Sequence, residues 1–208
     1  MLKKIDALPI PPAFRPTVET ILVRQAAKMM DRALPWQRGH GRRTAALARR
    51  IGACTDLSLE SLHHLTLAAL LHDIGLLALP PDLVQQTGCL DVQSYAARQS
   101  HPRLGAEWLE PYRFLRRASV IIAHHHERWD GSGYPYGIRG TFIPIEARVL
   151  AIADALDAIQ VPGATDQQEG NSTAYRILTV GAGTHFDPHL VEACRHSLQR
   201  SNLIFAFS

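Results

Sequence analysis

An all-α bundle is the fold class this sequence predicts, and three observations carry it. Apolar residues recur at helical spacing in one segment after another. Period-two alternation of any useful length is absent, as are internal repeats. The 208 residues, 46% hydrophobic and 20% charged, are enough for one sizeable globular domain.

The elements follow in chain order. Residues 1–16 hold four of the thirteen prolines, so residues 1–19 are expected to form an N-terminal arm, with the folded domain over 20–208. From Thr17 to about Leu34, Val18, Ile21, Leu22, Met29 and Met30 mark a helix that Pro35 should end. A second helix is expected from about Gly39 to Ala53, with Thr44, Leu47, Ala48 and Ile51 on one face. Ser58 is a good N-cap for a third, apolar helix that ends near His72 and Asp73. LALPPDLV reads as a turn and a short helix. Residues 91–110 and 112–126 read as two further helices, and the glycine-rich tract from Asp130 to Gly140 as a loop. Pro144 suits the first turn of the helix that carries Asp154. Residues 161–173 are expected to form a mobile loop, and two last helices to cover about 174–180 and 188–201.

Composition narrows the function classes. A net charge of +3 suits a small anionic ligand but is too weak to argue for a nucleic-acid polymer. No apolar stretch approaches the ~20 residues a membrane span needs, and no signal peptide is evident, so a cytoplasmic location is expected. Cys54, Cys89 and Cys194 lie far apart and form no thiolate metal motif.

Eleven histidines are the unusual feature, and their placement gives them meaning. His72-Asp73 closes the apolar helix LTLAALLHDIG. His101 starts another helix, His124-His125-His126-Glu127 ends a third, and Asp154 lies in VLAIADALDAI. Alone, a His-Asp pair reads equally well as a helix-end histidine beside a solvated aspartate, and His40 as a surface residue. Together, imidazoles and carboxylates on several helices of one bundle supply what a buried dinuclear metal site needs.

The motifs HDIG, HPRLG, HHERWDGSGYP, ARVLAIADALDA and GTHFDPHLV resemble those of the HD-GYP domains, a branch of the HD superfamily of metal-dependent phosphohydrolases. The resemblance covers roughly residues 20–200. It implies two divalent metal ions, iron or manganese, and hydrolysis of cyclic di-GMP to pGpG or GMP by a hydroxide held between them. It implies that His40, His72 and Asp154 bind one metal, that Asp73 bridges, and that His101, His125 and His126 bind the other, with His72 and Asp73 central to catalysis. Arg43, Glu127, Asp130 and Arg148 are implied as ligand-orienting or loop-fixing residues. Gly131, Gly133, Tyr134 and Pro135 are implied as the signature loop beside the substrate, which is also a contact for a signalling protein partner.

Three departures from the family pattern stand out. Leu76 occupies the place of a lysine after HDIG. The stretch after Asp157 lacks the usual arginines. Trp36 stands where three-metal members carry a glutamate, which favours two metals. An intact ligand set beside an eroded substrate grip leaves three readings open. They are a cyclic di-GMP phosphodiesterase, an HD hydrolase of another phosphoester or nucleotide, and a metal-containing signalling module with weak or no turnover.

Overall fold

The computed structural model describes residues 10–85, 91–158 and 167–200, the side chains of 167–172 and 196–200 excepted. Ten α-helices run in chain order among them: α1 (Arg15–Ala33), α2 (His40–Gly52), α3 (Leu59–Leu71), α4 (Pro81–Gln85), α5 (Val92–Arg98), α6 (His101–Leu109), α7 (Arg116–Ala123), α8 (Ile145–Ala158), α9 (Gln167–Gly181) and α10 (Pro188–Arg200). Strands are absent among the described residues apart from an isolated bridge between Ala182 and Phe186. None of the described helices is long and apolar enough to cross a membrane.

Helix α3 forms the axis because it is apolar nearly all round: Leu65, Leu67, Ala68, Ala69, Leu70 and Leu71 are all buried. Its start is fixed by Ser58, whose hydroxyl accepts the Ser61 N–H at 3.1 Å. Around it pack α1, α2, α7 and α8. The main core that results reaches from Val23 of α1 through Leu47, Ile121 and Leu150 to Leu190 of α10, with a small second cluster of Leu34, Leu76 and Val84.

Three boundaries differ from the sequence expectation. Helix α1 begins at Arg15, so residues 15–19 belong to the domain and Glu19 is buried. Pro16 is compatible with this because the first helical turn needs no N–H there. The segment 91–110 is two helices, broken at Gln99 and Ser100. Pro102 supplies the reason: it has no N–H to continue the ladder onto the Arg98 carbonyl, which His101 Nδ1 takes instead. Helix α9 begins at Gln167, inside the segment expected to be a loop. The basic-residue gap after Asp157 lies largely outside the described residues.

Candidate metal centre

Every expected ligand sits at a helix end or on a wall of α8 that faces those ends. His40 is the first residue of α2, His72 caps the C-terminus of α3 with Asp73 next to it, and His101 is the first residue of α6. His125 and His126 lie in the turn that follows α7. Asp154 projects from α8, which packs against α2. The α6 start reaches the turn that follows α3 only because residue 75 is glycine. A Cβ at Gly75 would stand 2.0 Å from the His101 carbonyl oxygen, so no side chain is tolerated.

The seven side chains converge. Asp73, His101, His125 and His126 present ligand atoms that all lie within 4.8 Å of one another, and so do His40, His72 and Asp73. Asp154 Oδ1 stands 3.1 Å from His40 Nε2 and 3.6 Å from His72 Nε2. Asp73 is common to both groups. Its Oδ1 lies 3.2 Å from His101 Nε2, while Oδ2 lies 3.3 Å from His72 Nε2 and 3.8 Å from His40 Nε2.

The backs of these rings are held. Nδ1 of His72 donates to the Ala69 carbonyl at 3.0 Å, Nδ1 of His101 to the Arg98 carbonyl at 2.8 Å, and Nδ1 of His125 to the Ile122 carbonyl at 2.7 Å. A carbonyl can only accept, so each neutral ring carries its proton on Nδ1 and turns a bare Nε2 inward. The Nε2 atoms of His101 and His125 then face each other at 3.4 Å. Two lone pairs at that distance repel unless a cation stands near both. Donors about 2 Å from one ion lie roughly 3–3.5 Å apart, which matches the observed spacings. The donor set therefore fits divalent metal.

Charge is divided unevenly across the cluster. Burial lowers the proton affinity of His40, but hydrogen bonds to Asp154 and Asp157 outweigh it and raise the pKa to about 9. His72 is raised in the same way, against burial, by Asp73 and Asp154. Asp73 and Asp154 are held well below the carboxylate range; burial opposes this, and the histidines overcome it. On the other side, burial and neighbouring imidazoles push His125 down and His126 to about 4.

Two residues that sequence reasoning missed support the site. Asp157 accepts from His40 Nδ1 at 2.7 Å and binds the Arg43 guanidinium through both its oxygens, at 2.8 and 2.9 Å. It lies one helical turn after Asp154, a spacing that signals a shared face. Gln37 donates to Asp73 Oδ2 at 2.5 Å.

The remaining expected residues are distributed around the loop. Glu127 is buried and accepts the Tyr136 N–H at 2.7 Å, while its Oε2 has no partner. Gly133 approaches the chain so closely that a Cβ would meet the Arg128 nitrogen at 2.3 Å, which brings Tyr134 over the site. The Tyr134 ring lies 4.8 Å from that of His126, and Pro135 follows through a cis bond. Gly131 turns the chain at φ 85°. Asp130 folds onto its own loop, accepting from the Ser132 N–H at 2.9 Å, and its own N–H donates to the Thr184 carbonyl. Arg148 is remote from the ligands: it ties the Ile143 carbonyl to Asp187 and stacks near Trp129. Asp130 and Arg148 thus fix the loop and do not touch a ligand. His124 also stays outside, its Nδ1 on the Val120 carbonyl.

A cavity of about 480 Å³ opens above the cluster, lined by Trp36, Gln37, His40, Arg43, Asp73, Leu76, Tyr95, Arg98, Gln99, His101, His126, Tyr134, Asp154, Asp157 and Ala158. Residues 24–190, most of the chain, match the family described as HD domain. The chain belongs to the HD domain family. Curated relatives of this HD domain include the 3′3′-cGAMP-specific phosphodiesterase 2 of Vibrio cholerae, 36% identical over 155 residues, which are 74% of this chain and 30% of that protein. The cyclic di-GMP phosphodiesterase response regulator RpfG of Xanthomonas campestris is 33% identical over 176 residues, covering 82% and 47%. The chain thus spans less than half the length of these relatives. The crystal structure of a cyclic GMP-AMP-specific phosphodiesterase of V. cholerae shares the HD fold, with TM-score 0.66 at 20% identity over 86% of this chain and 48% of that one. The HD-GYP resemblance of the motifs agrees with these relatives.

Proposed function

We propose that this HD domain is a metal-dependent phosphodiesterase that hydrolyses a cyclic dinucleotide, and that His40, His72, Asp73, His101, His125, His126 and Asp154 hold two divalent ions, iron or manganese. The observation that carries the reading is the set of Nε2 atoms turned inward around a shared Asp73, with their Nδ1 atoms tied behind them. Metal in such a site supplies an activated water and draws charge off phosphoryl oxygens.

The chain's own residues do the rest. Asp73 offers one oxygen to each half of the cluster, with Gln37 fixing one of them. Asp157 and Arg43 hold the His40 ring in orientation. Burial raises the Tyr134 phenol above its ordinary pKa, so it keeps its proton and is available to donate to an anionic group entering the cavity. The cavity volume lies within the range of small-molecule sites.

Cyclic di-GMP is the first substrate to test, with pGpG or GMP as product. 3′3′-cGAMP is the second, because the relatives divide between the two. The test is product analysis of iron- or manganese-loaded protein on both dinucleotides, beside an Asp73→Asn control, with metal content measured on each sample. Product from the wild type alone supports the reading. Bound metal with no product from either dinucleotide overturns it and favours another phosphoester or a signalling module without turnover. In that last case the exposed Tyr136 and Phe142 at the loop are where a protein partner would be sought.

A further inference from the structure

Three carboxylates line the cavity, Asp73, Asp154 and Asp157, against two arginines, Arg43 and Arg98. The two arginines differ. Arg43 is spent on Asp157, which takes it through both oxygens. Arg98, the last residue of α5, has no carboxylate partner among the described residues. Its guanidinium lies over the Trp36 ring at 5.5 Å, and one terminal nitrogen donates to the Val84 carbonyl at 2.9 Å. Its Nε is shut off from water and has no hydrogen-bond partner. A buried N–H without a partner is costly, and this half-buried guanidinium has no carboxylate among the described residues to compete with an incoming anion. Its neighbour in the lining, Leu76, is buried against Leu34 and Val84 and offers no charge of its own.

We propose that Arg98 is the phosphate-binding cation of this cavity, preset by Trp36 and the Val84 carbonyl to take a non-bridging oxygen of the substrate's phosphodiester. The stacked, tethered guanidinium loses little freedom on binding, and its planar fork suits phosphate. Arg98 is therefore a specificity-determining residue: it selects for a phosphoryl group without touching the bond that breaks. The inference rests on the phosphodiesterase reading for its substrate, but its test does not depend on turnover.

The test is equilibrium binding of GMP and of guanosine to the metal-loaded full chain, for wild type, Arg98→Gln and Arg98→Lys. It runs beside the KM and kcat for cyclic di-GMP. Wild type is expected to bind GMP more tightly than guanosine. Arg98→Gln should weaken GMP about 10–100-fold, leave guanosine unchanged, and raise KM by a similar factor with kcat little altered. Arg98→Lys, which keeps the charge but not the fork, should fall between, and it serves if the glutamine variant loses its fold. GMP binding that depends on Arg98 in a protein that turns nothing over would keep this inference and end the phosphodiesterase reading. Unchanged GMP affinity in both variants, equal losses for GMP and guanosine, or no GMP binding by wild type would each overturn the role given to Arg98.

Discussion

The two halves of the histidine cluster are made of the same side chain and behave oppositely toward protons. His40 and His72 share their half with Asp154 and the Asp157–Arg43 pair, and carboxylates there raise both imidazoles, His40 to about 9. On the other side, burial and neighbouring imidazoles outweigh Asp73, push His125 down and take His126 to about 4. The difference shows that ligand type alone does not set a metal site's charge. The local count of carboxylates does, and it decides whether a cation must displace a proton to enter.

The largest effect is expected where the halves meet. Asp73→Asn removes the carboxylate that both share, so turnover should fall by well over the ~10–100-fold typical of an outer-shell change, with metal lost from both sides. Retention of both ions and of activity would show that Asp73 does not couple them. Asp157→Asn should discriminate between the halves. It loosens His40 and leaves Arg43 without its carboxylate, yet touches nothing on the His101 side. Metal affinity is expected to drop about 10–100-fold for one ion only. Titration followed by elemental analysis should find one ion kept; loss of both together would merge the halves into a single unit.

Proton linkage sharpens the contrast further in the metal-free protein. His40 has a folded pKa of about 9, above its unfolded value, so its contribution is fully present below about 6.5 and is lost as pH rises toward 9. His126 has a folded pKa of about 4, below its unfolded value. Its contribution is present above about 6.5 and is lost as pH falls toward 4. The two slopes oppose, so the melting temperature of metal-free protein should peak near pH 6.5, with each flank worth on the order of a few kcal/mol. Metal entering beside His40 should displace its proton below about pH 9, while His126 should contribute no proton above about pH 5. Calorimetry in buffers of different ionisation enthalpy reads this directly, and equal proton release at both sites would erase the distinction.

Much of this architecture is legible in the sequence because the ligand motifs coincide with helix ends. Helical periodicity places His40, His72, His101 and Asp154 on separate elements, and Ser58, Pro102 and Pro144 punctuate them. What was not legible depends on approach between distant segments. Gln37 reaches Asp73 across 36 residues, and Arg98 meets Trp36 only because α5 folds back over the turn before α2. Asp157 is the exception, since its spacing from Asp154 was visible. The start of α6 at His101 was legible too, with Pro102 in its first turn. The uneven charge between the halves lies beyond any motif, because it arises from which carboxylate each imidazole meets in space.

The smallest expected effect tests where the second half ends. Three consecutive histidines follow α7, yet only His125 and His126 turn inward. His124 directs its Nδ1 to the Val120 carbonyl, and its ring lies 5.1 Å from that of Tyr136. A helix end explains the division, since successive residues there point about 100° apart and three neighbours cannot all face one centre. His124→Ala should therefore keep both ions and change turnover by less than about twofold, with a stability loss within ~1 kcal/mol for a partly exposed side chain. A marked loss of metal from this variant alone would mean that the turn after α7 offers its imidazoles in a different register. His124 would then have to be exchanged with one of the two neighbours now assigned to the cluster.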